Sequence, residues 1–208
     1  MYSKLQYISQ GETLALHQYN IQEALDAGCN WVQLRVKGKI GIVELTNFAE
    51  KIKIQCQQYN ATFIINDSVE IAKNVNADGI HLGLSDTPVA QARSVLGADK
   101  IIGGTANTLV DVKQRINEHC DYIGLGPLRF TNTKEQLSPI LDFEGFQEIF
   151  DNLSDTEKKT PIYAIGGLTE ADIKPLQKMG IYGVAVSGII THSSNKKMII
   201  QQFTEVLA

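Results

Sequence analysis

Short apolar and β-branched runs recur along the chain at a steady interval: Leu5–Ile8, Trp31–Leu34, Thr62–Ile65, Gly79–Leu82, Ile101–Gly103, Tyr122–Leu125, Ile162–Ile165 and Gly183–Val186. Their length and β-branched content predict buried strands. Between them lie segments with helical spacing: Leu14 to Ala27, Ile42 to Tyr59, Val69 to Val75, Val89 to Leu96, Leu109 to His119, Phe143 to Leu153, the neighbourhood of Leu176, and Met198 to Leu207. Gly28, Asn76, His119 and Gly180 stand where helices give way to strands, the positions at which a left-handed residue ends a helix well.

Eight strands alternating with eight helices predict a parallel α/β sheet. The number eight, with no composition shift marking a second domain, predicts one (β/α)8 TIM barrel spanning residues 1–208, near the small end for that fold. Gly126 to Asp142, ~17 residues without periodicity, is the one long loop, and loops of that length are usually functional.

Composition narrows the function. Hydrophobic residues make up 43% and charged residues 20% of 208, an ordinary globular balance. A net charge of −4 and a pI near 5.6 argue against a nucleic-acid-binding surface. The N-terminus has no apolar signal segment and no apolar run approaches ~18 residues, so no membrane partner is expected. Cys29, Cys56 and Cys120 form no CxxC pair and read as core thiols of a reducing compartment, which places the protein in the cytoplasm.

In such a barrel the active site lies at the C-terminal ends of the strands, so the residues just past each strand are informative. After the second, Gln33, Arg35 and Lys37 fall on one face, and two cations there call for an anion. After the third and fourth come Asn66-Asp67 and Asp86. Each aspartate alone suits a helix N-cap, but beside Arg35 and Lys37 the pair suits a shared Mg²⁺, which takes one or two carboxylates. The fifth leads into Gly103-Gly104-Thr105, where glycines would let backbone amides approach a ligand. The sixth leads into Gly126-Pro127 and then Thr131, Asn132, Thr133 and Lys134, whose hydroxyls and cation suit a phosphate. Gly166-Gly167 after the seventh strand and Ser187-Gly188 after the eighth suit a backbone phosphate site. His81, inside an apolar strand, reads as a hydrogen-bonded core histidine. His17, His119 and His192 show no partner in the sequence.

Gln33-Leu34-Arg35-x-Lys37, Ile65-Asn66-Asp67, Asp78-Gly79-x-His81-Leu82-Gly83 with Asp86 behind it, Gly126-Pro127 through Thr131-x-Thr133-Lys134, and Ile165-Gly166-Gly167 occur in order. Together they resemble thiamine phosphate synthase from about Trp31 to Ile190. The resemblance implies a transferase that joins a pyrimidinylmethyl diphosphate to a thiazole carrying a hydroxyethyl phosphate, with Mg²⁺, acting on small phosphorylated molecules. It implies that Gln33, Leu34, Arg35, Val36, Lys37, Asn66, Thr105 and Lys134 hold the pyrimidine diphosphate, with Arg35, Lys37 and Lys134 stabilising the leaving group. Thr131, Asn132, Thr133, Gly167, Ser187 and Gly188 would hold the thiazole phosphate, and Asp67 and Asp86 the metal.

Three departures stand out: threonine at 105 where serine is common, Leu84-Ser85 where Gln-Glu is usual, and Ala185-Val186-Ser187-Gly188 where Val-Val-Ser is common. A thiazole tautomerase on the same fold, or a non-catalytic binder of thiazole phosphate, are the alternatives. The diphosphate and metal set, and the absence of a histidine from the Gly126-Pro127 loop, argue against the tautomerase. The segment Gln136–Ile140 is expected to act as a lid.

Overall fold

The computed structural model describes residues 2–38, 40–130 and 139–208. Eight strands, β1 (Leu5–Ile8), β2 (Trp31–Leu34), β3 (Thr62–Asn66), β4 (Gly79–Leu82), β5 (Ile101–Ala106), β6 (Tyr122–Leu125), β7 (Ile162–Ile165) and β8 (Gly183–Val186), pair in parallel in chain order, and β8 returns to β1. The sheet is a closed barrel. Helices α1 (Leu14–Asp26), α2 (Ile42–Gln58), α3 (Val69–Asn74), α4 (Val89–Leu96), α5 (Leu109–Asn117), α6 (Asp142–Asp151), α7 (Ile173–Met179), α8 (Gly188–Thr191) and α9 (Lys196–Leu207) follow the strands. The short α8 and the single 3₁₀ turns at Glu157–Lys159 and Glu170–Asp172 go beyond the eight helices expected, because one turn leaves no periodicity to read.

The pleat sorts the core into two bodies. Alternate strand residues such as Leu5, Val32, Phe63, Ile80 and Val184 pack with the helices. Ile8, Trp31, Ile64, Tyr122, Tyr163 and Ala185 form a separate cluster inside the barrel. Trp31 meets Tyr122 and Tyr163 nearly edge-on, at centroid distances of 5.1 and 5.2 Å. Aromatic pairs of that geometry contribute about 0.5–1.5 kcal/mol beyond their buried area. The barrel floor is therefore filled, and a ligand must approach from the other end.

β5 corrects the sequence reading. It runs through Thr105 to Ala106, so Gly103-Gly104 is strand and not turn. A Cβ on Gly103 would overlap the Tyr122 ring, and one on Gly104 would stand 2.6 Å from the Arg115 side chain. These glycines make room for large neighbours on both faces of the strand; they are not there to expose amides.

Candidate active site

Asp67 and Asp86 come together at the ends of β3 and β4. The Asp67 carboxyl is raised to about 7, first by burial, then by a hydrogen bond and charge repulsion from Asp86; Arg35 and the Asn66 side chain oppose the shift. Asp67, Asp86, Arg35 and Asn66 thus form one constellation. Neither aspartate is a helix cap: Ser68 caps α3 through Ile71, and Pro88 precedes α4. Asp67 takes φ 65°, a left-handed conformation that aspartate tolerates better than most residues. Its backbone N–H donates to the His81 carbonyl at 2.9 Å. Asp86 accepts the Gly83 N–H at 2.6 Å, and the Gly83 carbonyl accepts from Arg115 at 2.8 Å. Arg115, buried on α5, also holds the Thr105 carbonyl at 3.0 Å. An arginine on the buried side of a helix is the sequence signal for it, a signal that reading strand ends alone does not use.

Arg35 lies just past β2, and its backbone N–H donates to Ser9 Oγ at 3.0 Å. Ser9 Oγ in turn meets His17 Nδ1 at 3.0 Å. His17 is buried, and burial lowers its pKa. This corrects the expectation that His17 has no partner: α1 turns it inward against β1, which sequence spacing does not reveal. His192 likewise meets the Gln10 side chain at 3.4 Å. Lys37 is exposed beyond Arg35, while Leu34 and Val36 pack into the layer between barrel and helices. Leu34 and Val36 can therefore offer a ligand only their backbone.

Below the constellation runs a chain of hydrogen bonds across the barrel. Gln33 Nε2 donates to Gln6 Oε1 at 3.0 Å, and Gln6 Nε2 donates to the Tyr122 hydroxyl at 3.2 Å. That hydroxyl meets His81 Nδ1 at 3.1 Å, and His81 Nε2 meets Thr105 Oγ1 at 3.0 Å. Where the tyrosine hydroxyl accepts from Gln6 and donates to Nδ1, the ring proton sits on Nε2 and is donated to Thr105. In that tautomer every donor points the same way, from Gln33 to Thr105. His81 is the hydrogen-bonded interior histidine that the sequence indicated. Gln6 and Tyr122 were missed, although a glutamine at an inward position of an apolar strand was the available signal.

On the other side of the mouth, the β6 and β7 loops are joined. Leu128 N–H donates to the Ile165 carbonyl at 3.0 Å and Arg129 N–H to the Gly166 carbonyl at 3.1 Å. Gly167 takes φ 66° against the Arg129 and Phe130 backbone, where a Cβ would stand 2.8 Å from Arg129 Cβ. Ser187 Oγ donates to Gln10 Oε1 at 3.1 Å, and Gly188 opens α8 beside His192. Thr131, Asn132, Thr133 and Lys134 lie outside the described residues, as does most of the expected Gln136–Ile140 lid. Among the described residues no group of three or more histidine, cysteine or acidic side chains could hold a metal; Asp67 and Asp86 meet as a pair.

The family model described as thiamine monophosphate synthase matches residues 8–190. The chain belongs to the thiamine monophosphate synthase family. The matched stretch takes in every strand-end residue described above, from Ser9 to Gly188. The thiamine-phosphate synthase of Flavobacterium johnsoniae is 54% identical over 209 residues, covering 100% of this chain and 97% of that protein. The thiamine-phosphate synthase of Flavobacterium psychrophilum is 52% identical over 207 residues, covering 100% of both. A solved thiamine phosphate pyrophosphorylase from Pyrococcus furiosus superposes with a TM-score of 0.82 at 23% identity, covering 99% of this chain and 95% of that one, and so shares the barrel. No helix among the described residues is long and apolar enough to cross a membrane.

Proposed function

We propose that this member of the thiamine monophosphate synthase family condenses 4-amino-2-methyl-5-(diphosphooxymethyl)pyrimidine with 4-methyl-5-(2-phosphooxyethyl)thiazole to give thiamine phosphate and diphosphate, or with the carboxylated form of that thiazole to give the same products and carbon dioxide. The observation that carries the reading is the meeting of Asp67, Asp86, Arg35 and Asn66 at one end of a barrel whose other end is filled. Two adjacent carboxylates with hard oxygen donors, one of them held off ionisation by burial and by the other, fit a divalent cation such as Mg²⁺. Asp67 and Asp86 would hold it, and when bound it would neutralise charge on the departing diphosphate.

The rest falls to the chain's own residues. The C–O bond to diphosphate breaks with its electron pair leaving on oxygen, and the electron-rich pyrimidine stabilises the carbon left behind. Arg35, Lys37 and Lys134 stabilise the leaving charge, the usual dominant contribution in such transfers. The thiazole nitrogen then donates its lone pair to that carbon. Forming the C–N bond moves no proton, so that step requires no general base. Gln33 and Thr105, the two ends of the interior hydrogen-bond chain, and Asn66 hold the pyrimidine diphosphate, and the backbones of Leu34 and Val36 line it. Thr131, Asn132, Thr133, Gly167, Ser187 and Gly188 hold the thiazole phosphate, so that positioning supplies much of the remaining rate.

We read residues 1–208 as one barrel domain working in the cytoplasm, a reading supported by three buried free thiols. The test is diphosphate release from both substrates with Mg²⁺. Release that requires both substrates and the metal supports the reading; turnover of the thiazole phosphate alone overturns it in favour of a tautomerase.

A further inference from the structure

We infer that Arg129 and Asp172 are positioning residues, a clasp that fixes the β6 loop on the β7 loop and thereby sets the thiazole phosphate half of the site. The inference rests on the function proposed above. The two guanidinium nitrogens of Arg129 meet the two carboxylate oxygens of Asp172 at 2.5 and 2.8 Å. A bidentate pair of this kind fixes orientation as well as distance.

The partners differ in exposure: the Arg129 side chain is 45% exposed and that of Asp172 only 5%. Asp172 is committed before Arg129 arrives, because its Oδ2 accepts both the N–H and the hydroxyl of Thr169, at 2.7 and 2.8 Å. Burial would raise the Asp172 carboxyl; the bonds from Arg129 and Thr169 outweigh it and hold the group below the usual carboxylate range. Asp172 is thus a rigid anchor at the start of α7, and Arg129 is the arm that reaches it across 43 residues of sequence.

What the clasp holds is the backbone of Gly167. Arg129 Nη1 also reaches the Gly167 carbonyl at 3.4 Å, and the guanidinium lies 5.6 Å from the centroid of the Phe143 ring on α6. Gly167, in its left-handed conformation, is pressed against Arg129 Cβ and the carbonyls of Arg129 and Phe130. A shift of the β6 loop therefore moves the Gly167 peptide. The return of the chain is fixed nearby, with Leu141 N–H on the Pro127 carbonyl at 3.0 Å and Asp142 N–H on the Leu128 carbonyl at 3.2 Å. Asp67, Asp86 and Arg35 follow β3, β4 and β2, on the side of the barrel mouth away from the β6 and β7 loops, so the clasp acts on one substrate's half.

Steady-state kinetics of wild type, Arg129→Ala, Asp172→Asn and the double variant, with each substrate varied in turn, test the inference. Arg129→Ala is expected to raise KM for the thiazole phosphate roughly tenfold while KM for the pyrimidine diphosphate stays within about twofold. Asp172→Asn should do the same, and the double variant should be no worse than either single. Arg129→Lys, which keeps the charge without the fork, should restore only part of the loss. Equal rises in both KM values, or single effects that multiply in the double variant, overturn the clasp. Calorimetry with the thiazole phosphate alone reads the same affinity without turnover. A wild-type protein that releases no diphosphate overturns the proposed function, whereas an active wild type with indifferent variants overturns the clasp alone.

Discussion

Asp67 and Asp86 meet through their carboxyls, and burial together with that contact holds a proton on Asp67 that an isolated aspartate would lose. The folded value of about 7 lies above the ordinary 3.8, so between those pH values the folded state carries a proton that the unfolded chain has released. Stability of the metal-free protein should therefore be greatest below about pH 4 on this account and fall as pH rises to about 7. Asp67→Asn removes the titration. Because Asp67 keeps contact with solvent at the mouth, the gain at pH 8 should be about 1 kcal/mol, read by urea unfolding of metal-free protein at pH 5 and pH 8. Equal stabilisation at both pH values would show that the carboxyl pair is not the cause.

Asp67→Ala should abolish condensation, by roughly 10³-fold or more, because it removes half of the carboxylate set that the reading assigns to the metal. Thiazole phosphate binding, measured by calorimetry, should stay close to wild type. A variant that keeps wild-type turnover refutes the metal assignment.

Tyr122→Phe deletes the hydroxyl that Gln6 and His81 share, leaving two buried polar side chains each short of a partner. The expected cost is about 2 kcal/mol of stability, because unpaired buried groups lose more than a single hydrogen bond contributes. Denaturant titration checks this, and a loss below about 0.5 kcal/mol would mean that the chain from Gln33 to Thr105 is not a coupled unit.

Gly103→Ala drives a methyl into the Tyr122 ring inside a filled barrel. Destabilisation by about 3 kcal/mol is expected from overpacking where no neighbour can move aside. Unchanged thermal stability would contradict the placement of Gly103 on the inward face of β5.

The strands were legible because a closed parallel barrel buries both faces of each strand, so β1, β2, β4, β6, β7 and β8 appear as bounded apolar runs with their observed ends. β5 was misjudged because Gly103 and Gly104 carry no side chain to reveal a period, and their reason lies in Tyr122 and Arg115. The meeting of Asp67 with Asp86 was legible from strand-end logic alone. Ser9 and His17 beneath Arg35, Arg115 behind Gly83, and Asp172 opposite Arg129 were not. Each acts through a partner that only the closed barrel brings near, and no local pattern marks a residue for a partner it meets in the folded state.

Trp31 is the chain's single tryptophan, and it is 1% exposed at the barrel floor. Tyr2, Tyr122 and Tyr163 stand around it with ring centroids 5.1 to 5.6 Å away, close enough for excitation absorbed by a tyrosine to pass to the indole. Light absorbed by these three tyrosines should therefore emerge from Trp31, at the short wavelengths of a dry environment. It should shift to the red, and the tyrosine component should grow, when the barrel opens, so the fluorescence of this one residue reports closure of the barrel.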